Sequence, residues 1–346
     1  MNRFDPKSAL LMLFLTALAG LSCSKKSDGE AADFLLRGNL QLQKKEYRKA
    51  VAYFNEAIEK KSDFADAYNN RGLAQYRLGQ RENALADFSK AIDIDPDFWA
   101  AYLNRAEVRL DLNDLSGCQQ DLERIQAVYN DSSFYHVRVA DVQSRQNNLS
   151  AAQASLEKAL RLKPDNAEAL TNRGTLLFNQ KAYAEAGQDF RKALTINPRQ
   201  DAALNNLSLV VSRQRRFSEA LDYSSRAVSL QPTNPVYLNN KGYILLMLNR
   251  PAEAVSLIRQ SLKLDEENAW AYRNLGIYHL SQKQPDEALR QLQKSEKLDP
   301  SVDELYAWLG NAWLAKGNPS SACRDWSRGE SLGDSLATVL KDKNCR

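Results

Sequence analysis

Apolar residues in this chain recur at helical spacing, in blocks that return every 34 residues. In the stretch from Ala67 to Phe98, AYNNRGLAQYRLGQRENALADFSKAIDIDPDF, two amphipathic segments flank a short polar turn, and Asp95-Pro96 closes the second. The spacing predicts two helices per block. With Ala65 as position 1, Gly72 falls at 8, Ala84 at 20, Phe88 at 24, Ala91 at 27 and Pro96 at 32. Position 8 returns as Gly38, Gly174, Gly242, Gly276 and Gly310, with Ala106, Ala140 and Ser208 in the other units. Position 20 is alanine throughout except Cys118. Nine units run from Ala31 to Leu336 without insertion or deletion. Small residues at 8 and 20 let paired helices approach closely, and the bulky residue at 24 fills the space between them. Each pair keeps an apolar face it cannot bury alone, so the pairs stack into one elongated array.

Proline placement agrees with these helix boundaries. Five prolines occupy position 32 and Pro235 opens the seventh unit, while Pro251, Pro285 and Pro319 stand at position 17, the first turn of a second helix. A first-turn proline loses no hydrogen bond. Small residues at 8, 20 and 27, a bulky one at 24 and proline at 32 together resemble the tetratricopeptide-repeat (TPR) family over nearly all of the chain. The resemblance implies an all-α fold, a right-handed α-solenoid of nine TPR helix pairs over 31–336 with a capping helix at 337–346. The cap reads DSLATVLKDKNC from Asp334, with Leu336, Val339 and Leu340 as its apolar stripe. If the chain turns at Asp334, Cys323 and Cys345 each lie 11 residues from the turn, level on two antiparallel helices and able to form a disulfide. The alternative is two free thiols on helices that face apart.

Two departures from the repeat are informative. The third unit carries Cys118 at 20, Ile125 at 27 and Asn130 at 32. The bulk of Ile125 predicts altered packing near 117–135, or plain drift within an ordinary repeat. Position 7, commonly leucine in the family, is arginine in four units, and three of these (Arg71, Arg105, Arg173) carry aspartate at position 23 (Asp87, Asp121, Asp189). A planar guanidinium lying between two helices can bond such a carboxylate through two donors.

Composition adds mainly at the N-terminus. With a net charge of +4 over 346 residues and no basic run, nothing points to nucleic acid. Arg3 and Lys7 precede an apolar run of 14 residues, Ala9 to Ser22, too short to span a bilayer but suited to a signal-peptide core. Cys23 follows it, and the arrangement resembles a bacterial lipoprotein signal, although Gly20 stands where that family favours leucine. The resemblance implies a signal over 1–22, a lipid on Cys23, a polar tether over 23–30 and an outer-membrane location facing the periplasm. A simple secretory signal with an unmodified Cys23 is the other reading.

Catalytic constellations are missing. His136 and His279 occupy packing slots, Cys118 sits in a small-residue slot, and no phosphate loop, paired-cysteine motif or serine elbow occurs. The sequence therefore predicts no enzyme, no cofactor and no metal. In the TPR family positions 2, 5, 6, 9, 12 and 13 line a concave groove. Position 6 is Asn70, Asn104, Asn172, Asn206, Asn240 and Asn274 in six units. A ladder of amides can bond an extended peptide backbone, and it resembles the ladder of the O-linked N-acetylglucosamine transferases. Tyr76, Phe134, Phe178, Tyr243, Trp270 and Trp308 add aromatic anchors to that surface. Lysine is absent from these positions and the arginines (Arg77, Arg138, Arg145, Arg213, Arg273) are scattered, which argues against the family's two-carboxylate clamp. The expected function is a membrane-anchored scaffold that binds a peptide or helix of another envelope protein. A glycan-capture lipoprotein is the alternative, disfavoured by the lack of inserted loops.

Overall fold

The computed structural model describes residues 27–345; the segment expected to be a signal (1–22), Cys23, residues 24–26 and Arg346 lie outside the described residues. The described residues form 19 α-helices and no strand. The first helices of the nine pairs are α1 (27–43), α3 (Ala65–Arg77), α5 (Trp99–Asp111), α7 (Ser133–Arg145), α9 (Ala167–Asn179), α11 (Asp201–Arg213), α13 (Pro235–Met247), α15 (Ala269–Ser281) and α17 (Leu305–Ala315). The second helices are α2 (Tyr47–Lys60), α4 (Arg81–Ile94), α6 (Leu115–Tyr129), α8 (Leu149–Leu162), α10 (Tyr183–Ile196), α12 (Phe217–Leu230), α14 (Pro251–Leu264), α16 (Pro285–Leu298) and α18 (Pro319–Ser331), and α19 (Ser335–Asn344) follows as the cap. The fold is an α-solenoid of nine helix pairs. The chain divides into two compact units, with the boundary between Pro164 and Asp165. Four pairs precede it and five, with α19, follow. The unbroken period, which predicted one array, carries no mark of this boundary.

Inside each pair the packing follows the small-and-large rule. A Cβ added at Gly38, Gly72, Gly174, Gly242, Gly276 or Gly310 would fall under 3.0 Å from Phe54, Phe88, Phe190, Ile258, Leu292 or Trp326, the residue at position 24 of the same unit. Those six side chains are wholly buried. Where position 8 is alanine or serine, position 24 is never aromatic: Leu122, Leu156 or Ser224. The turn inside each pair is equally regular. Position 15 takes a positive φ in all nine units, at Lys45, Gly79, Asn113, Asn147, Lys181, Arg215, Asn249, Lys283 and Gly317. This is the left-handed residue that ends a helix and frees the chain to reverse.

The arginine–aspartate pairs are two-donor bridges. Arg71 reaches Asp87 at 2.7 and 2.6 Å, Arg105 reaches Asp121 at 3.0 and 2.7 Å, and Arg173 reaches Asp189 at 2.7 and 2.7 Å. Arg71 and Arg105 also donate to Asn55 and Ser89, both at position 25 of the preceding unit, so each ties two repeats together.

Three local features depart from the template. Residues 27–30, read above as tether, form the first turn of α1: Ser27 Oγ donates to the Lys60 carbonyl at 2.6 Å, and Glu30 pairs with Lys60 at 3.3 Å. In the third pair Asn130 replaces proline and α6 runs to 15 residues against 14 in α4. His136 Nε2 meets the Asn130 carbonyl at 2.8 Å, Ile125 is wholly buried, and burial pushes the free Cys118 thiol up to about 12. At the C-terminus Asp334 caps α19 by accepting from the Leu336 and Ala337 N–H groups. There Cys323 and Cys345 form a disulfide with Cα atoms 5.7 Å apart.

Candidate binding grooves

The ladder asparagines sit on the first helices, where they stitch repeats to one another. Asn104 donates to Asn69 at 2.9 Å, Asn240 to Asn205 at 3.0 Å and Asn274 to Asn239 at 2.8 Å, in each case from position 6 to position 5 of the unit before. Asn70 and Asn206 reach instead to position 9 of the unit before, Asn39 at 2.8 Å and Thr175 Oγ1 at 2.9 Å. Asn274 also accepts two bonds from Arg273 and is wholly buried, so its assignment to ligand contact is corrected: its amide is consumed inside the stack. Asn70, Asn104, Asn172, Asn206 and Asn240 stay partly exposed. The signal for this role was on the sequence in the asparagines Asn69, Asn205 and Asn239 at position 5, each 35 residues before its partner.

Within the first unit Tyr76, Arg77, Asn104, Glu107 and Phe134 line a cleft of about 270 Å³. The Tyr76 hydroxyl donates to Asp111 at 2.8 Å, and burial with that bond holds its pKa above the ordinary tyrosine range. Phe134 remains 38% exposed with the Arg138 guanidinium over its ring at 4.8 Å.

The second unit gathers more groups. Phe178 packs edge-on against Tyr183 at 5.2 Å, and Arg213 lies over Tyr183 at 5.8 Å. Arg273, 4% exposed, is sandwiched between Tyr243 at 4.9 Å and the half-exposed Trp270 at 5.0 Å. Its Nη1 donates to the Asp303 carbonyl at 2.8 Å. Arg213 forms an ion pair with Asp303 and lies 3.5 Å from Glu304, which also meets the Tyr243 hydroxyl at 3.5 Å. Burial, then the Glu304 charge, raises the Tyr243 pKa. The sequence treated Arg213 and Arg273 as scattered; the fold places both around Tyr243. Trp308, in the ladder position of the ninth unit, keeps its Nε1 buried with no hydrogen-bond partner. Among the described residues no group of three or more His, Cys, Asp or Glu could hold a metal, and no helix is long and apolar enough to cross a membrane.

Comparison with known proteins bears on the fold. Tetratricopeptide-repeat models match residues 65–98, 140–202 and 235–301, and a TPR-repeat model matches 38–79. A comparison with curated proteins finds no match. Among solved structures, the hetero-tetramer Cut9–Hcn1 of the APC/C superposes with a TM-score of 0.62 at 14% identity, over 91% of this chain and 76% of that one. YrrB, described as a TPR protein with an unusual peptide-binding site, aligns over 57% of this chain and 97% of its own, with 24% identity and a TM-score of 0.42. The matched repeats, the regular helix pairs and the small-and-large packing at positions 8 and 24 lead to one assignment: the chain belongs to the tetratricopeptide-repeat family.

Proposed function

We propose that this protein is a lipid-anchored scaffold of the cell envelope, held at the outer membrane on its periplasmic face, that binds a peptide segment or helix of another envelope protein. The observation that carries the binding role is the pair of half-exposed aromatics at position 2, Phe134 and Trp270. Each has a guanidinium across one face and solvent at its edge, the amphipathic character of an interface anchor. Tyr76 and Asn104 beside Phe134, and Tyr243 with Phe178 in the second unit, supply the surrounding contacts, and the partly exposed ladder amides supply polar ones.

A photo-crosslinking residue placed at 134 or 270 in cells tests the binding role. A discrete envelope-protein adduct is expected, and purified protein should select from a peptide array and not from a glycan array. Selection of glycans alone would replace this reading with sugar capture.

The anchor rests on the signal-like segment and Cys23. A diacyl group with an N-acyl chain exceeds the two hydrophobic signals that stable attachment needs. Cys23→Ala is expected to release the protein from membranes or stall its processing, read by fractionation and mass. Wild-type sedimentation of that variant would sink the lipid assignment.

A further inference from the structure

The loop between α16 and α17 breaks the register that the other repeats keep. First helices α3, α5, α7, α9, α11, α13 and α15 all begin at position 1, but α17 begins at position 3, Leu305. Glu304 takes φ 57°, the one positive-φ non-glycine among the described residues outside the position-15 turns. Glutamate is disfavoured there, so something must hold it. Part of the cause is local. Ser132, Asn166, Asn234 and Asn268 cap their helices through the side chain, whereas the equivalent Val302 has no oxygen to offer and is buried. That is not enough. Phe64, Phe98 and Gln200 make no side-chain cap either, and their helices start on register. What distinguishes the ninth unit is that Asp303 and Glu304 reach Arg213, 90 and 91 residues earlier in the chain and three repeats away.

The receiving side is built for an anion. Arg213 has Tyr183 under its guanidinium, and Tyr243 offers its hydroxyl. Arg273 is 4% exposed, yet its bonds go to the Asn274 amide oxygen and the Asp303 backbone carbonyl. A guanidinium so far out of water favours an anion nearby. Arg213 therefore meets two carboxylates that the chain delivers by distorting its own repeat, with the buried charge of Arg273 held against the backbone of the same segment.

We propose that Arg213, Arg273 and Tyr243 form a receptor for an acidic peptide segment, occupied in cis by Asp303 and Glu304, so that such a ligand binds by lifting the α16–α17 loop. This rests on the scaffold reading above and names the ligand chemistry for the second unit. The Asp-Glu pair is the chain's own sample of that ligand. Displacement lets α17 extend toward position 1 and releases Glu304 from its left-handed conformation. The closed loop lowers the apparent affinity by the fraction of time the receptor is open.

The probe is a fluorescein-labelled hexapeptide, Ser-Val-Asp-Glu-Leu-Tyr, which copies residues 301–306, beside its counterpart with Asn and Gln for the two acids. Anisotropy is measured with purified wild-type chain and with the Asp303→Asn/Glu304→Gln variant, whose helical content is checked by circular dichroism. The variant is expected to bind the acidic peptide about ten-fold or more tighter than wild type, as for a loop closed about 90% of the time. Adding Arg213→Gln should remove the gain, and the neutral peptide should bind neither protein. If the double variant loses helicity, Asp303→Asn alone carries the test, with a smaller gain of the same sign. Equal affinity of wild type and variant, a gain that survives Arg213→Gln, or equal binding of the neutral peptide overturns the proposal. Any of these with the crosslink at 270 retained leaves the scaffold reading standing; loss of the crosslink and of all array binding removes that reading as well.

Discussion

The four pairs before Pro164 and the five after it share one 34-residue template but place their arginines differently. In the first unit Arg71 and Arg105 stand at position 7, inside the helix pair, and bond buried aspartates there. Asp121, 2% exposed, also receives Arg109 at 2.8 Å. In the second unit Arg173 alone repeats this arrangement. Other pairs there use uncharged groups: Ser261 and Ser295 at position 27 donate to the carbonyls of Pro235 and Ala269 that open their own units. Arg213 and Arg273 gather around Tyr243 instead, where Arg213 meets carboxylates from another repeat and the buried Arg273 bonds the Asp303 backbone carbonyl. The same residue type binds helices together at Arg71, Arg105 and Arg173 and gathers around Tyr243 at Arg213 and Arg273. Template position alone does not decide which, since Arg145 shares position 13 with Arg213 yet donates to the Leu110 carbonyl of the preceding repeat.

The largest way to break this comparison is to remove the carboxylate that two arginines share. Asp121→Ala takes from Arg105 the buried carboxylate it shares with Arg109 and leaves Arg109 only Asp114, at 3.6 Å. Removing one partner of a buried pair costs about 3–5 kcal/mol, and the loss should appear in urea melts and in hydrogen exchange of α5 and α6. Asp189→Ala should cost less, because its partner Arg173 has a side chain 30% exposed and already in contact with water.

How much of this was legible follows from sequence distance. The helix pairs, the packing of glycine against a bulky residue and the arginine–aspartate bridges all lie within one period, so counting positions finds them. The Cys323–Cys345 disulfide was readable because both cysteines flank a turn that Asp334 marks. The ladder was half legible. Asn70 to Asn274 were visible as a column, but their bonding to positions 5 and 9 of the preceding repeat requires the stacked geometry. The Arg213–Asp303 contact was not legible at all. It joins residues 90 apart across repeats that are not neighbours, and only the fold sets that distance. The one local sign was Val302, an apolar residue where four other units place a capping Ser or Asn.

A smaller effect tests whether packing is matched unit by unit. Gly310 has the buried Trp326 against it, and its Cβ position is filled by the indole. Gly310→Ala should cost about 1–3 kcal/mol as an overpacked core. The third unit already lives with alanine there, since Ala106 faces Leu122 in place of an aromatic. Adding Trp326→Leu to Gly310→Ala should therefore recover part of the loss relative to the sum of the single changes. Simple additivity would show that the two positions are not coupled.

The smallest expected effect has the opposite sign. Asp325 holds position 23 of the ninth unit, but Leu309 at position 7 offers no guanidinium. The carboxylate is 13% exposed, with Arg324 at 3.6 Å as a weak partner. Burial raises its pKa above 3.8, Arg324 and a bond from Trp313 oppose the shift, and the Glu296 charge adds to it. A folded-state pKa above the unfolded value means the folded protein holds this proton more tightly. Its contribution to stability is thus full below 3.8 and declines as pH rises through the folded pKa. At neutral pH the group is an ionised acid in a site that favours the neutral form. Asp325→Asn keeps the shape and removes the charge, so it should raise Tm at pH 7, with the advantage shrinking as pH falls toward 3.8. The same change at Asp87, whose Arg71 is in place, should lower Tm at pH 7. A Tm drop for Asp325→Asn that matches the Asp87→Asn drop would mean Arg324 pairs with Asp325 in solution as fully as Arg71 does with Asp87, and the contrast between the two aspartates would be lost.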